Sequence, residues 1–162
     1  MKERIIASAL NLKSETVRLR RDFHKYPENG FCEFRTASLI IDYLKKLEYD
    51  VKFGRNVVDA SALLGVPSDE VLSSEKKRAI REGAAPELCE LLDKGGTAVV
   101  AVIHGKGRGE NKTVAFRFDI DCNELCESDS ESHKPKKFGY RSLHEGLTRA
   151  CGHDGHISVG LT

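Results

Sequence analysis

Thr97-Ala98-Val99-Val100-Ala101-Val102-Ile103 is a continuous run without a charged side chain, set in a chain whose other patterns are mostly helical. An apolar run of this length, bounded by glycines, reads as a strand covered on both faces. Its presence makes the fold α/β. Downstream, Gly105-Lys106-Gly107-Arg108-Gly109 reads as a flexible turn, and Thr113 to Phe118 alternates in strand fashion. The glycine-rich turn lacks a P-loop signature and leads into a strand, not a helix, so phosphate binding is the weaker reading.

Upstream the period is helical. Residues 2 to about 25 place Ile5, Ile6, Ala9, Leu10, Val17 and Phe23 at roughly helical spacing, until Pro27 and Asn29-Gly30 end the pattern. A second helix is expected from about Thr36 as N-cap, with Leu39, Ile40, Tyr43, Leu44 and Leu47 on one face. Asp50 to Phe53 is short and extended, stopped by Gly54. Residues 55–95 are polar and helical: Ser68-Asp69-Glu70 opens a helix to Gly83, and Pro86 starts another that Gly95-Gly96 closes. The run Glu75-Lys76-Lys77-Arg78 reads as a solvated helix face.

The 162 residues suffice for one core, and 40% apolar with 31% charged residues is a globular composition. A formal charge of +1 gives no electrostatic reason for nucleic acid or an anionic membrane. No apolar run is long enough to span a bilayer, and the N-terminus lacks a signal-peptide core. A cytoplasmic location is expected. Five cysteines without secretory context read as reduced thiols, mostly buried.

Arg149-Ala150-Cys151-Gly152-His153-Asp154-Gly155-His156 crowds a thiol, two imidazoles and a carboxylate into six positions with only glycines between them. Each of these side chains can bind a divalent ion; thiolate with imidazole suits Zn²⁺, and imidazole with carboxylate also suits Mn²⁺. Cys151 and His153 share an i, i+2 spacing that lets both face one ion on extended backbone. Asp119 and Asp121 have the same spacing after the second expected strand. Like charges so close need a counter-ion such as a metal, or a raised pKa; an ordinary solvated loop is the alternative. Cys122 and Cys126 with His133 and His144 form a competing structural zinc set, although its second half does not fit zinc-finger spacing. His24 and His104, at element ends, read as packing or capping residues.

Three segments carry a resemblance to a known family. Arg20 to Phe31 with Phe34-Arg35-Thr36-Ala37, then Phe116-Arg117-Phe118-Asp119-Ile120-Asp121, and finally Ala150 to His156 resemble, in order, motifs of the M20 metallopeptidase and amidohydrolase family. Gly54-Arg55-Asn56-Val57-Val58, Gly65-Val66-Pro67, Arg81 to Ala84 and Ser132 to Pro135 resemble the branch of that family that hydrolyses p-aminobenzoyl-glutamate. The resemblance implies a partial zinc-exopeptidase-like catalytic domain, a mixed sheet flanked by helices, with residues 1–162 its N-terminal part and 55–95 a helical insert. It implies two divalent ions, Mn²⁺ or Zn²⁺, with Cys151 and His153 as ligands and Asp119 as the carboxylate that orients them. The general base, the remaining ligands and a lid or dimerisation domain are expected beyond Thr162, so the chain alone is expected to be inactive. The implied substrate is a small N-acyl or N-aroyl amino acid, and the implied partner a homologous second subunit or else a further copy. Hippurate or indole-acetyl-amino-acid hydrolysis, and a truncated non-catalytic protein binding a metal or partner, are the alternatives. Two departures stand inside the motifs: Arg149 replaces a frequent His, and Cys122-Asn123-Glu124-Leu125 follows Asp121 where Ala-Leu is usual.

Overall fold

The computed structural model describes residues 2–105, 107 and 112–162. The Gly105–Gly109 turn falls largely outside the described residues. The chain forms two compact units, Phe31–Arg117 on one hand and Met1–Gly30 with Phe118–Thr162 on the other.

The first of these units holds α2 (Phe34–Lys46), β1 (Asp50–Phe53), α3 (Asp69–Arg81), α4 (Pro86–Leu91) and β2 (Val99–Val102), after α1 (Lys2–Lys25) has ended. Ser68 caps α3 by accepting from the Val71 amide, and Pro86 occupies the first turn of α4. Helix α2 starts two residues before the expected Thr36. Phe34, Ala37 and Ile41 recur at helical spacing and are fully buried, so the earlier start carries Phe34 into the core. Glu33, just before the helix, spends its carboxylate on the Thr97 hydroxyl at 2.5 Å. Around Phe34 and Ile41 gather Leu72, Ala79, Leu88, Cys89 and Leu92 from α3, α4 and the chain just after them.

Strands β1 and β2 pair antiparallel, Asp50 opposite Val102 and Phe53 opposite Val99. The α/β class stands, with a small antiparallel sheet in place of a mixed one. Two expectations are corrected here. β2 is not covered on both faces: its residues alternate, with Val100 46% exposed, because α2 packs against the pair from one side. Thr113–Phe118 does not join the sheet, which among the described residues consists of β1 and β2. Alternation is a pattern that a strand needs; a main-chain ladder is what makes one.

The other unit holds α1, α5 (Lys134–Lys137) and α6 (His153–Leu161). Helices α1 and α6 pack together, burying Leu19, Phe23, Ile157 and Leu161, while Ile5, Ile6 and Leu10 near the start of α1 stay exposed. An isolated antiparallel bridge joins Asn123 and Thr148 through reciprocal amide–carbonyl bonds of 2.9 and 3.0 Å. No described helix is long and apolar enough to cross a membrane.

Candidate metal centre

The Ala150–His156 stretch turns sharply at Gly152, whose φ of +87° lies in the left-handed region that glycine enters without a Cβ penalty. That turn puts His153 at the first position of α6 and His156 one turn on, so both imidazoles share a helix face. Their rings stack with centroids 5.2 Å apart. Asp119 Oδ2 lies 3.9 Å from His153 Nε2 and 3.9 Å from His156 Nδ1. These distances exceed a hydrogen bond. They fall within the ~4.2 Å that can separate two ligand atoms each about 2.1 Å from a shared ion.

Asp121 Oδ1 lies 2.7 Å from His153 Nδ1, yet the alignment is too poor for a hydrogen bond, and among the described residues that buried nitrogen has no hydrogen-bond partner. We read the contact as electrostatic. It puts a carboxylate on the Nδ1 side of the ring and leaves Nε2 toward Asp119. Asp119, His153 and His156 are the convergent ligand-type group among the described residues, and a carboxylate with two imidazoles fits Zn²⁺ or Mn²⁺. Cys151 is exposed, and its thiol does not join that group; its amide donates to Asn123 Oδ1 at 2.8 Å.

Asp154, between the two histidines, faces inward. Its Oδ2 accepts from His24 Nδ1 at 2.9 Å and Arg20 Nε at 3.2 Å, and its Oδ1 from the Gly155 amide. The other nitrogen of His24 donates to Glu127 Oε1 at 3.0 Å, which also accepts from His133 Nε2 at 2.7 Å, while Glu127 Oε2 takes the Ser142 amide at 2.6 Å. Burial disfavours charge on His24, but the bonds to Asp154 and Glu127 outweigh it and raise its pKa. Burial likewise works against the two carboxylates, and the hydrogen bonds from His24 hold both below their ordinary values. An imidazolium between two carboxylates thus ties the start of α6 to the end of α1.

Arg149 is buried, its Nε donating to the Phe23 carbonyl and its Nη1 to the carbonyls of Ile120 and Asp121. The competing zinc set does not assemble among the described residues. Cys122 donates its thiol to Asn29 Oδ1, and burial pushes its pKa up to about 12; Cys126 is exposed, His133 is engaged by Glu127, and His144 Nδ1 donates to the Pro27 carbonyl at 2.6 Å. His104 is exposed just after β2. Sequence reasoning missed the inward roles of His24 and Arg149 and did not single out His156; the i, i+3 spacing of the two histidines was the available signal for the last.

No family model matches the chain. Over 150 residues it is 38% identical to the indole-3-acetyl-aspartic acid hydrolase of Enterobacter agglomerans, an alignment covering 93% of the chain and 34% of that protein. Its fold superimposes on the crystal structure of the aminobenzoyl-glutamate utilization protein from Klebsiella pneumoniae with a TM-score of 0.69 at 31% identity, over 93% of the chain and 31% of that structure. With the motif order and the site just described, these likenesses show that the chain belongs to the M20 metallopeptidase and amidohydrolase family. Within it, the chain is 40% identical over 142 residues to a p-aminobenzoyl-glutamate hydrolase subunit of Escherichia coli (strain K12), covering 88% of the chain and 32% of that protein. The chain spans about a third of the length of the curated relatives it matches.

Proposed function

We propose that the protein carrying this chain is a metal-dependent amidohydrolase that cleaves p-aminobenzoyl-glutamate to p-aminobenzoate and glutamate. The convergence of Asp119, His153 and His156 beside Asp121 is the observation that carries the reading, and the relatives' names supply the substrate class. Residues 1–162 are the N-terminal part of the catalytic domain, with 55–95 as a helical insert. In this reading Cys151 and His153 are the ligands of a centre of two divalent ions, Mn²⁺ or Zn²⁺, Asp119 orients them, and His156 is the further imidazole that the structure adds to the group. This reading requires the exposed thiol of Cys151, which stands outside the convergent group, to turn toward it. When bound, the metal polarises the scissile carbonyl and lowers the pKa of a water. Asp121 fixes the ring of His153, and the His24–Asp154 pair fixes the helix that bears it.

Two relatives carry names that make them one subunit of a p-aminobenzoyl-glutamate hydrolase, which supports assembly with a second, different subunit. Five cysteines in a sequence without secretory context support a reducing, cytoplasmic setting. The indole-3-acetyl-aspartic acid hydrolase, at 38% identity, favours a second reading in which the acyl group is indole-acetyl. Both readings are tested together by offering p-aminobenzoyl-glutamate and indole-3-acetyl-aspartate to the protein as its gene encodes it, with Mn²⁺, with Zn²⁺ and with a chelator. Metal-restored release of p-aminobenzoate is the expected result. Preference for indole-3-acetyl-aspartate selects the second reading, and no cleavage of either substrate with any metal defeats both.

A further inference from the structure

Among the described residues Arg149 is the largest fully buried side chain, 2% exposed, and it stands two residues before Cys151. A guanidinium removed from water is costly unless acceptors replace the lost hydration. Here the acceptors come from two separate segments. Nε donates to the Phe23 carbonyl at 3.0 Å near the end of α1; Nη1 donates to the Ile120 carbonyl at 2.6 Å and the Asp121 carbonyl at 3.1 Å. Burial works against the charge on Arg149 and lowers its pKa, and Glu28, also buried, opposes that by favouring the charge. The two carbonyls held by Nη1 belong to the residues that link and include the carboxylates of the metal centre.

We infer that Arg149 is a positioning residue of the metal centre, bolting the Asp119–Asp121 segment to the end of α1 and thereby setting where both carboxylates stand against His153. The inference rests on the metal-centre reading proposed above. The far end of the same segment is pinned separately, by the Asn123–Thr148 bridge and by the Cys151 amide on Asn123 Oδ1. Without Arg149 the stretch would be anchored at Asn123 but not at residues 120 and 121. Asp121 would then leave its 2.7 Å approach to His153 Nδ1, and Asp119 its place 3.9 Å from both imidazoles. Lysine cannot substitute, because an ammonium is a point donor without the planar fork that reaches Phe23 on one side and residues 120–121 on the other.

The test measures Co²⁺ affinity and the Co²⁺ visible spectrum, with the thermal midpoint alongside, in the protein as its gene encodes it. The forms compared are the unsubstituted protein, Arg149→Lys, Arg149→His, and Leu19→Ala as a control that loosens the same unit from the buried face of α1. Arg149→Lys and Arg149→His are expected to bind Co²⁺ about tenfold or more weakly, with a changed spectrum, as loss of a group that orients ligands typically does. Leu19→Ala is expected to lower the midpoint while keeping the affinity and the spectrum. Binding by Arg149→Lys within about twofold of the unsubstituted protein overturns the inference on that same scale. So does an equal loss in Leu19→Ala, or an Arg149→Lys chain that does not fold, since Arg149 would then serve the unit as a whole. Absence of Co²⁺ binding by the unsubstituted protein overturns the metal-centre reading itself, and this inference with it.

Discussion

Replacing His24 by alanine removes the imidazole that bridges Asp154 and Glu127, at 2.9 and 3.0 Å. Hydrogen bonds to charged groups contribute about 1.5–3 kcal/mol each. Both carboxylates keep other donors: Arg20 and the Gly155 amide for Asp154, His133 and the Ser142 amide for Glu127. The lower end of the range therefore applies to each bond, and the loss is about 3 kcal/mol where His24 is charged. The sign of the pH dependence follows from the direction of the shifts. His24 has its pKa raised on folding, so its contribution is complete below the unfolded value of 6.5 and declines as pH rises through the folded one. Asp154 and Glu127 have theirs lowered, so their contributions are complete above 3.8 and 4.5 and decline as pH falls through the folded values. The network is strongest between these limits. In alkali a neutral imidazole donates one hydrogen instead of two, and the penalty of His24→Ala shrinks to about 1.5 kcal/mol. Urea unfolding of both proteins from pH 5 to 9, with chelator present, should show a gap of about 3 kcal/mol at pH 6 that narrows toward about half as pH rises through the folded His24 value. A gap independent of pH, or one below about 1 kcal/mol at pH 6, would refute the bridging imidazolium.

Other outcomes follow from burial and exposure. Native protein treated with iodoacetamide at pH 8 should be alkylated at the exposed Cys126 and Cys151, and at Cys32, Cys89 and Cys122 only after unfolding, as peptide mass spectrometry would record; prior Zn²⁺ should protect Cys151 and not Cys126. Ile41→Ala leaves a void among Phe34, Leu72 and Leu88 and should cost about 2–5 kcal/mol in urea titration; a cost below about 1 kcal/mol would mean that this cluster is not a packed core. His156→Ala should weaken Co²⁺ binding less than His153→Ala, as calorimetric titration of the two would record; an equal or larger loss in His156→Ala would contradict the ligand role proposed for His153.

Local rules were legible where local physics decides. The N-terminal helix, the Ser68 cap and the Pro86 start all follow from side chains acting within a turn of themselves, and the structure has them at those residues. Thr36 misled because a good capping residue was outweighed by the burial of Phe34, which only the packed core reveals. Thr97–Ile103 misled in a different way: a run of apolar residues is compatible with burial on both faces, but whether both are covered depends on neighbours distant in sequence. At the candidate metal centre, residue chemistry and motif pointed to Asp119, Cys151 and His153, and the structure brings Asp119 and His153 together while the Cys151 thiol stays outside the group. The hydrogen-bonded chain through Asp154, His24, Glu127 and His133 could not be singled out in that way, since His24 lies more than a hundred residues from the other three and meets Asp154 only when α1 packs on α6. Arg149 was visible as a departure from the motif, whereas its reason, three main-chain carbonyls needing a donor, required the fold.

Anomalous diffraction from crystals loaded with Zn²⁺ or Mn²⁺, collected at the metal's absorption edge, locates the ion without reference to turnover. A metal centre at the start of α6 predicts an anomalous peak within ligand distance of His153 and beside Asp119. A peak at Cys122 and Cys126 instead, or no peak at saturating metal, would contradict it.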